Sequence, residues 1–390
     1  MKKTVYFLSF CLLIVLIFSN VININVFADE NNTLINSINS KNFILYHPES
    51  NKVLVANNEN VKTPVASICK LMTSLIVLEE IETGNLSLDQ KLIASEYACS
   101  VEGSQAFLDA GCEYSVRDLL KSVIVASAND SAIVLAEGVS GNETMFVQRM
   151  NEKAKELGMV NTLYENATGL FTTGQYSTAK DTLKVLKEVS KFDLYNEDCH
   201  IWMDKLVHPS GRETELVNTN RLVRYYDYCL NGKTGFVDES GYCLASSAMK
   251  DGMKLIAVVL GGAKASDRFE DSVELYSYGF ANYYNKQILF KDQVLDQAIK
   301  VSNGKVQNAN ISASQDYYAI CEKGQECEVE LHYELLDKIK APMKKGDVVG
   351  EIIVTDNNFV IAEIPVVLTE DINKLNYKDS LVKIVDNWKL

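Results

Sequence analysis

The sequence predicts an α/β protein of the α+β type, in which an antiparallel sheet flanked by helices is followed by a small all-β domain. The chain has 390 residues, more than one hydrophobic core usually needs, so two domains are expected. Amphipathic helices dominate residues 64–191, and strands that form a clear hairpin around residues 241–260 follow them. Short strands and turns fill residues 287–368. This order of elements favours a helix-rich first domain and a β-rich second one.

The chain divides into four expected segments. Residues 1–28 have the pattern of a secretion signal, with Lys2 and Lys3 ahead of an apolar stretch that is too short for a comfortable membrane span. Residues 29–285 should form the first domain and residues 286–372 the β-rich one. Residues 373–390 carry an apolar stripe flanked by lysines, which is typical of an amphipathic helix at a membrane surface, although docking onto the β-rich domain is the alternative.

Composition excludes some functions. The formal net charge of −14 argues against nucleic-acid binding, which needs a basic surface. The sequence has no Cys-x-x-Cys motif or Cys/His cluster, so we expect no metal and no cofactor. Export permits disulfides, for which Cys321–Cys327 and Cys99–Cys112 are the closest pairs. We favour the interpretation that several of the eight cysteines after the signal are small buried hydrophobic residues.

The segment Pro64–Glu80 supplies a candidate nucleophile. Ser67 opens a long apolar helix, and Lys70 follows on the same helical face, so the serine hydroxyl and the lysine amine can touch. The position near the helix N-terminus favours developing negative charge. Ser-x-x-Lys alone is a weak signal, because it also begins at four other serines: Ser177, Ser247, Ser302 and Ser380. Of the five, only Ser67 begins a long apolar helix.

Two more short motifs follow in the chain. Ser127 and Asn129 lie in a predicted link between two helices, where side chains can point into a cleft, although a helix N-cap is the simplest interpretation of that motif alone. Lys233-Thr234-Gly235 occurs once and begins a predicted strand, where a solvated lysine is the ordinary interpretation. A phosphate-binding loop is excluded, because Asp227 stands where that motif needs glycine and a strand follows instead of a helix.

The three motifs in this order resemble the signature of the penicillin-recognising serine acyltransferases. More narrowly, the chain resembles the D-alanyl-D-alanine carboxypeptidases, the low-molecular-mass penicillin-binding proteins. The resemblance is strong over Phe43–Gly262 and weaker in the β-rich remainder. It includes the stretches Gly103–Gln105, Ala126–Asp130, Gly174–Asp181, Asn218–Asn220 and Ser240–Ala245. It implies a β-lactamase/transpeptidase-like fold for the first domain, a peptidoglycan pentapeptide as substrate and β-lactam antibiotics as inhibitors.

The resemblance also implies a role for each motif residue. Ser67 would attack the D-Ala-D-Ala peptide bond and form an acyl-enzyme, with Lys70 as its base and Ser127 as the relay that passes a proton to the leaving amine. Substrate binding would fall to Asn129, Lys233, Thr234, Gly235 and Phe236. Among these, Lys233 and Thr234 would receive the terminal carboxylate, and the N–H of Phe236 would join that of Ser67 in an oxyanion hole.

The chemistry of the base sets a physical requirement. A free lysine is protonated near neutral pH, so Lys70 needs burial and a nearby like charge, which we expect from Lys233, to lower its pKa. Two positions depart from the family pattern. We expect Cys69, two residues after Ser67, to serve packing, and Phe236 stands where a polar residue or tyrosine is frequent.

Two rival functions remain. A β-lactamase of the same superfamily would place a deacylating glutamate in the loop before Lys233, where Glu165 is the only candidate, although the stretch Glu165–Leu170 matches the carboxypeptidase loop better. An inactive peptidoglycan-binding module is the second rival, and the intact motifs argue against it.

Overall fold

The computed structural model describes residues 33–327, 329–356 and 359–377. The chain divides into two compact units. The first comprises the residues up to Tyr46 together with Val53–Ala281, and the second comprises His47–Lys52 and the chain from Asn282 onward.

The first unit is built on a five-stranded sheet of order β2-β1-β9-β8-β7, in which β1/β9, β9/β8 and β8/β7 are antiparallel. Two short two-stranded sheets, β3/β4 and β5/β6, lie outside it. The predicted hairpin of β8 and β9 is confirmed, with its turn at Asp251 and Gly252. The strands of this part of the chain are β1 (Asn42–His47), β2 (Lys52–Asn57), β3 (Lys91–Ile93), β4 (Glu113–Ser115), β5 (Met203–Val207), β6 (Glu213–Val217), β7 (Cys229–Val237), β8 (Gly241–Lys250) and β9 (Met253–Gly262).

Helices surround this sheet. A 3₁₀ turn at Ala66–Cys69 leads into the first long helix. The α-helices are α1 (Lys70–Glu82), α2 (Glu96–Ser100), α3 (Val116–Ala126), α4 (Asn129–Ser140), α5 (Glu143–Glu156), α6 (Ala179–Val189), α7 (Asp193–Cys199), α8 (Leu222–Tyr225) and α9 (Asp267–Asn282). Ser115 is the N-cap of α3, since its Oγ accepts a hydrogen bond from the N–H of Asp118.

The two faces of the sheet bury different sets of side chains, as the alternation of a strand requires. Ile44, Ile256 and Val258 belong to the main core, which they share with the buried residues of α1, α3, α4 and α6. On the opposite face Gly279 of α9 lies against Leu45 and Leu255, so close that a side chain there would meet the Leu255 methyl at 2.5 Å. The predicted fold class, an antiparallel sheet flanked by helices, is therefore confirmed.

The second unit is rich in strands, as predicted. A six-stranded sheet has the order β14-β16-β17-β12-β11-β15, and β10 pairs with β13 separately. Aliphatic side chains such as Ile311, Ile352 and Val366 form its core. Its strands are β10 (Tyr283–Leu289), β11 (Val294–Ser302), β12 (Asn308–Ala313), β13 (Tyr317–Glu322), β14 (Val329–Leu335), β15 (Lys338–Lys340), β16 (Val348–Asp356) and β17 (Phe359–Leu368).

One of the two candidate disulfides is present. Cys321 and Cys327 form a disulfide across the turn that follows β13, because the turn brings their Cα atoms to 5.3 Å. The other expected pair, Cys99 and Cys112, is not bonded. Four free cysteines are buried, in agreement with the packing role that we expected: Cys69, Cys199, Cys229 and Cys243.

Two expectations fall outside the described residues. The secretion signal of residues 1–28 lies entirely there, and most of the amphipathic tail of residues 373–390 does too. Within the described part of the chain, no helix has the length and apolar character that crossing a membrane requires.

Candidate active site

Ser67 lies in the 3₁₀ turn Ala66–Cys69, one turn before α1 begins at Lys70. In a 3₁₀ turn, residues three apart lie directly above one another. Lys70 Nζ donates a hydrogen bond to Ser67 Oγ at 3.1 Å. The serine is half-buried, whereas the lysine is fully buried. The structure therefore brings together the pair that the spacing predicted, although through a 3₁₀ turn and not through the first turn of an α-helix.

The buried position of Lys70 changes its acidity. Burial lowers the pKa of Lys70 from its ordinary 10.5 to about 7, against the smaller opposing effects of Cys69 and Asp130. Lys70 Nζ also donates a hydrogen bond to the carbonyl oxygen of Thr168. An amine with a pKa near 7 is partly neutral at neutral pH, so it can accept the proton of the serine hydroxyl.

Side-chain oxygens hold the loop that carries Thr168 by accepting hydrogen bonds from its backbone N–H groups. Asn166 Oδ1 accepts hydrogen bonds from the N–H groups of Thr168 and Gly169, at 3.2 and 2.6 Å. Gln175 Oε1 in turn accepts from the N–H of Glu165. Gly169 of this loop packs against the 3₁₀ turn that carries Ser67. In that turn, Ala66 has a positive φ of 49°. No sequence motif marks this strained backbone.

Ser127 is the C-cap of α3 and has a left-handed backbone, with φ 62°. Its buried Oγ accepts a hydrogen bond from Lys233 Nζ at 2.8 Å. Asn129 is the first residue of α4, so the predicted link between the two helices is shorter than we expected. The abrupt turn at Ser127 is what directs its hydroxyl toward Lys233.

Asn129 is anchored to the preceding loop. Its Nδ2 donates a hydrogen bond to the carbonyl of Glu102 at 2.6 Å, and its N–H donates to the carbonyl of Ser104 at 2.7 Å. The amide oxygen Oδ1 is buried and has no hydrogen-bond partner in the described residues. A buried carbonyl-type oxygen without a partner is free to accept a hydrogen bond from a ligand.

Asp130, a residue that the sequence reasoning did not single out, fixes the same loop. Its carboxylate is fully buried and accepts hydrogen bonds from the N–H groups of Ala106 and Leu108, at 3.0 and 3.1 Å. The only sequence signal was its place next to the Ser-Ala-Asn motif. Asp130 thus holds the loop that positions Asn129.

Lys233 is buried on β7. Its pKa lies well below the ordinary value, chiefly because of burial and then because of the like charges of Lys70 and Arg268. We expected burial and the like charge of Lys233 to lower the pKa of Lys70 together. Burial is the largest cause there, whereas the like-charge effect between the two lysines is seen in the lowered pKa of Lys233. The next residue, Thr234, donates a hydrogen bond to Thr219 Oγ1 at 2.7 Å.

Gly235 allows β7 to approach the 3₁₀ turn that carries Ser67. A side chain on Gly235 would meet the carbonyl oxygen of Val65 at 2.8 Å and the Cβ of Ala66 at 3.2 Å. Arg268, which the sequence analysis missed, donates a hydrogen bond to the carbonyl of Gly235 at 3.2 Å. Nothing in the sequence around Arg268 marks it, because its place in the cleft depends on how α9 packs.

Phe236 has an exposed side chain that stacks on Tyr242, with ring centroids 4.3 Å apart. The aromatic side chain at this position therefore lies at the edge of the cleft. Residue 236 keeps its place in the strand β7.

The geometry separates Ser67 from the other Ser-x-x-Lys serines. Ser177, Ser247 and Ser302 hydrogen-bond to Thr162, Asn231 and the carbonyl of Ile339, and none of them contacts the lysine of its own motif through an observed hydrogen bond in the described residues. Ser380 lies outside those residues.

Two further features bear on the chemistry. Glu165, the candidate glutamate of a β-lactamase, is exposed, and its carboxylate lies against Gly174 instead of Ser67. In the ranges that the structure describes, no group of three or more His, Cys, Asp or Glu side chains could hold a metal ion.

This chain is similar to known proteins over most of its length. The family model described as D-alanyl-D-alanine carboxypeptidase matches residues 27–264, and that of the penicillin-binding protein 5 C-terminal domain matches residues 283–374. The D-alanyl-D-alanine carboxypeptidase DacF of Bacillus subtilis is 34% identical over 350 residues, which cover 90% of this chain and 90% of that protein.

Solved structures are similar too. Penicillin binding protein 5 from Haemophilus influenzae superposes with a TM-score of 0.72 at 28% identity, covering 87% of this chain and 98% of that one. Penicillin-binding protein 3 from Streptococcus pneumoniae, at 23% identity and a TM-score of 0.75, supports the fold alone and covers 86% of this chain and 100% of that one. The chain belongs to the D-alanyl-D-alanine carboxypeptidase family of serine-type, penicillin-binding peptidases.

Proposed function

We propose that this enzyme removes the terminal D-alanine from peptidoglycan pentapeptides through an acyl-enzyme on Ser67. The observation that carries the assignment is the 3.1 Å hydrogen bond between Lys70 Nζ and Ser67 Oγ, made by a buried lysine whose pKa is about 7. A neutral amine at that distance can take the hydroxyl proton as the oxygen attacks.

Two hydrogen-bonded pairs, Lys70 with Ser67 and Lys233 with Ser127, carry out the acylation in this proposal. Ser67 Oγ attacks the carbonyl carbon of the penultimate D-alanine, and its proton passes to Lys70. The C–N bond breaks as Lys70 gives up this proton and Ser127, whose hydroxyl is hydrogen-bonded to Lys233, relays a proton to the leaving amine, so that Lys70 is neutral again. D-Alanine departs with that proton, and water then hydrolyses the ester. The N–H groups of Ser67 and Phe236 stabilise the oxyanion, and each such donor typically contributes about 3–4 kcal/mol.

The substrate carboxylate binds at Lys233 and Thr234. Burial and the nearby Lys70 favour the neutral form of Lys233 in the free site. An incoming carboxylate supplies the opposite charge and raises the pKa of Lys233 again, so the lysine binds the anion in its protonated form. Gly235 lets this strand lie beside Ser67, and Asn129 offers its buried, unpartnered Oδ1 to the substrate amide.

Location and partners extend this proposal. The family acts on D-Ala-D-Ala peptides of peptidoglycan and binds β-lactams, and we infer that this chain does the same at the outer face of the cytoplasmic membrane or in the cell wall. The signal-like residues 1–28 support export, and the lysine-flanked apolar stripe of residues 373–390 supports contact with a membrane surface. Residues 29–285 would carry the catalysis, with 286–372 as a separate β-rich domain.

Labelled penicillin tests the mechanism. We expect mass spectrometry to find one covalent adduct on the peptide that bears Ser67, and we expect the adduct to vanish in Ser67→Ala. Ser302→Ala, which removes another Ser-x-x-Lys serine, is the matched control and should keep the adduct. Labelling at Ser177 or Ser247 would refute the assignment. Rapid turnover of penicillin would favour a β-lactamase, and no release of D-alanine from a pentapeptide would favour an inactive binding module.

A further inference from the structure

The loop of residues 101–112, between α2 and β4, has no helix or strand and packs directly on Asn129. The carbonyl of Glu102 accepts the hydrogen bond from Asn129 Nδ2, and a Cβ atom added to Gly103 would lie 2.8 Å from the same nitrogen. Asn129 Oδ1 and Nδ2 belong to one planar amide group, so holding Nδ2 at Glu102 fixes the direction of the unpartnered Oδ1. The position of the loop therefore sets the orientation of Asn129.

The strands β5 and β6 form the firmly packed neighbour of this loop. Leu206 of β5 and Leu216 of β6 are buried in the main core. The turn that joins the two strands, residues 208–212, is closed by a hydrogen bond from the N–H of His208 to the carbonyl of Arg212 at 2.8 Å. This turn is therefore a fixed support to which the loop can be attached.

Arg212 attaches the loop to this turn on the exposed side. Its Nη2 donates hydrogen bonds to Asp109 Oδ1, at 2.8 Å, and to the carbonyl oxygen of Phe107. Phe107 has a positive φ of 57°, a conformation that is costly for a residue with a side chain. An exposed ion pair contributes little to the stability of a fold. The consequence of the contact is therefore the position of the loop.

A second connection between loop and turn is buried. The Tyr114 hydroxyl accepts a hydrogen bond from the N–H of Asp109 at 2.9 Å and lies 2.8 Å from His208 Nδ1. Arg212 Nη2 lies 3.1 Å from the same Nδ1. A guanidinium nitrogen can only donate, so Nδ1 is an acceptor, Tyr114 donates its hydroxyl hydrogen to it, and the histidine is neutral. Burial and then the charge of Arg212 lower the pKa of His208, in keeping with this neutral form.

We propose that a clasp of four residues positions Asn129 for the reaction: Asp109, Tyr114, His208 and Arg212. They are positioning residues, because they act through the loop and not on the substrate. While the clasp is closed, the loop stays attached to the β5–β6 turn and keeps Asn129 Oδ1 directed into the site. When the clasp is broken, the loop gains freedom and Asn129 loses its fixed orientation. This inference rests on the proposed function, because that function assigns Asn129 to the substrate amide.

Acylation by labelled penicillin tests the clasp through two variants. Arg212→Gln removes the guanidinium contacts, and Tyr114→Phe removes only the buried hydroxyl and keeps the ring. We expect each to slow acylation about tenfold, because a small displacement of a substrate-binding group costs reactivity. Arg212→Gln should melt close to the wild-type temperature, because the ion pair is exposed.

Arg149→Gln is the matched control. Arg149 forms an ion pair with Glu80, and its side chain is 38% exposed, against 42% for Arg212. The same substitution there should leave acylation at the wild-type rate, since neither partner contacts the loop of residues 101–112 through an observed ion pair in the described residues.

The Asn129→Ala background separates positioning from a general structural role. If the clasp acts through Asn129, adding Arg212→Gln to Asn129→Ala should slow acylation by less than about twofold more, because the group that the clasp positions is already absent. A further loss of about tenfold in that background would overturn the proposal, as would wild-type acylation rates in both Arg212→Gln and Tyr114→Phe. An absence of acylation at Ser67 in the wild type would instead contradict the proposed function.

Discussion

Gly169 lies against the backbone of Ala66 so closely that a Cβ atom added to it would be 1.9 Å from the Ala66 carbonyl oxygen and 2.8 Å from the Ser67 nitrogen. Ala66 has a positive φ of 49°, a conformation that is costly for a residue with a side chain. The loop at Gly169 therefore supports the strained turn that presents Ser67.

Gly169→Ala should displace the 3₁₀ turn that carries Ser67. We expect it to slow penicillin acylation by at least tenfold and to lower the melting temperature by several degrees, because backbone atoms cannot yield to the new methyl group. Gly84→Ala is the matched control: Gly84 has a similar φ, 77° against 83°, and nothing within 4 Å of its added Cβ. It should cost about 1 kcal/mol of stability from backbone strain and leave acylation unchanged. Equal acylation rates in the two variants would show that contact with Ala66 is unimportant.

The acylation rate should depend on pH through Lys70. Its pKa is about 7, and only the neutral amine can accept a proton, so the second-order rate of acylation should fall tenfold per unit as pH decreases below 7 and should level off above it. Lys70→Arg keeps a positive charge that cannot be removed in this range, so we expect a loss of about 10³-fold or more and no such dependence. Stopped-flow measurement with a chromogenic β-lactam checks both. A flat profile in the wild type would exclude Lys70 as the base.

Two substitutions at Ser127 separate its hydroxyl from its backbone. Both Ser127→Ala and Ser127→Gly remove the acceptor of the 2.8 Å hydrogen bond from Lys233, and we expect both to slow D-alanine release by about 10²- to 10⁴-fold. Only glycine relieves the left-handed backbone at φ 62°, so the glycine variant should be the more stable of the two. Thermal melts and D-alanine release measure the two effects. A glycine variant with near wild-type turnover would remove Ser127 from the mechanism.

Loss of the disulfide should affect the second unit alone. Cys321 and Cys327 close a short loop, and the double variant Cys321→Ser/Cys327→Ser should destabilise that unit by about 2 kcal/mol through greater freedom of the unfolded chain. Penicillin acylation should be unchanged, because Ser67 belongs to the other compact unit. Differential scanning calorimetry alongside penicillin labelling provides the check, with Cys99→Ser as a control that removes a free thiol. A fall in acylation in the double variant alone would contradict this independence.

The sequence by itself determined the fold class and the residue pairs that could act. The spacing of apolar residues predicted the helices and the β8/β9 hairpin. A helix or strand that buries one face needs apolar residues at the period of that element. A separation of three residues was enough to place Lys70 beside Ser67, and the three ordered motifs pointed to the family.

Tertiary structure decided what sequence spacing cannot encode. The hydrogen bond between Lys233 and Ser127 joins residues 106 positions apart, and the position of Arg268 depends on how α9 packs. The low pKa of Lys70 arises chiefly from burial, which depends on every element around it. Local patterns determine which groups are available, whereas the packing of distant segments sets their distances, their solvation and therefore their reactivity.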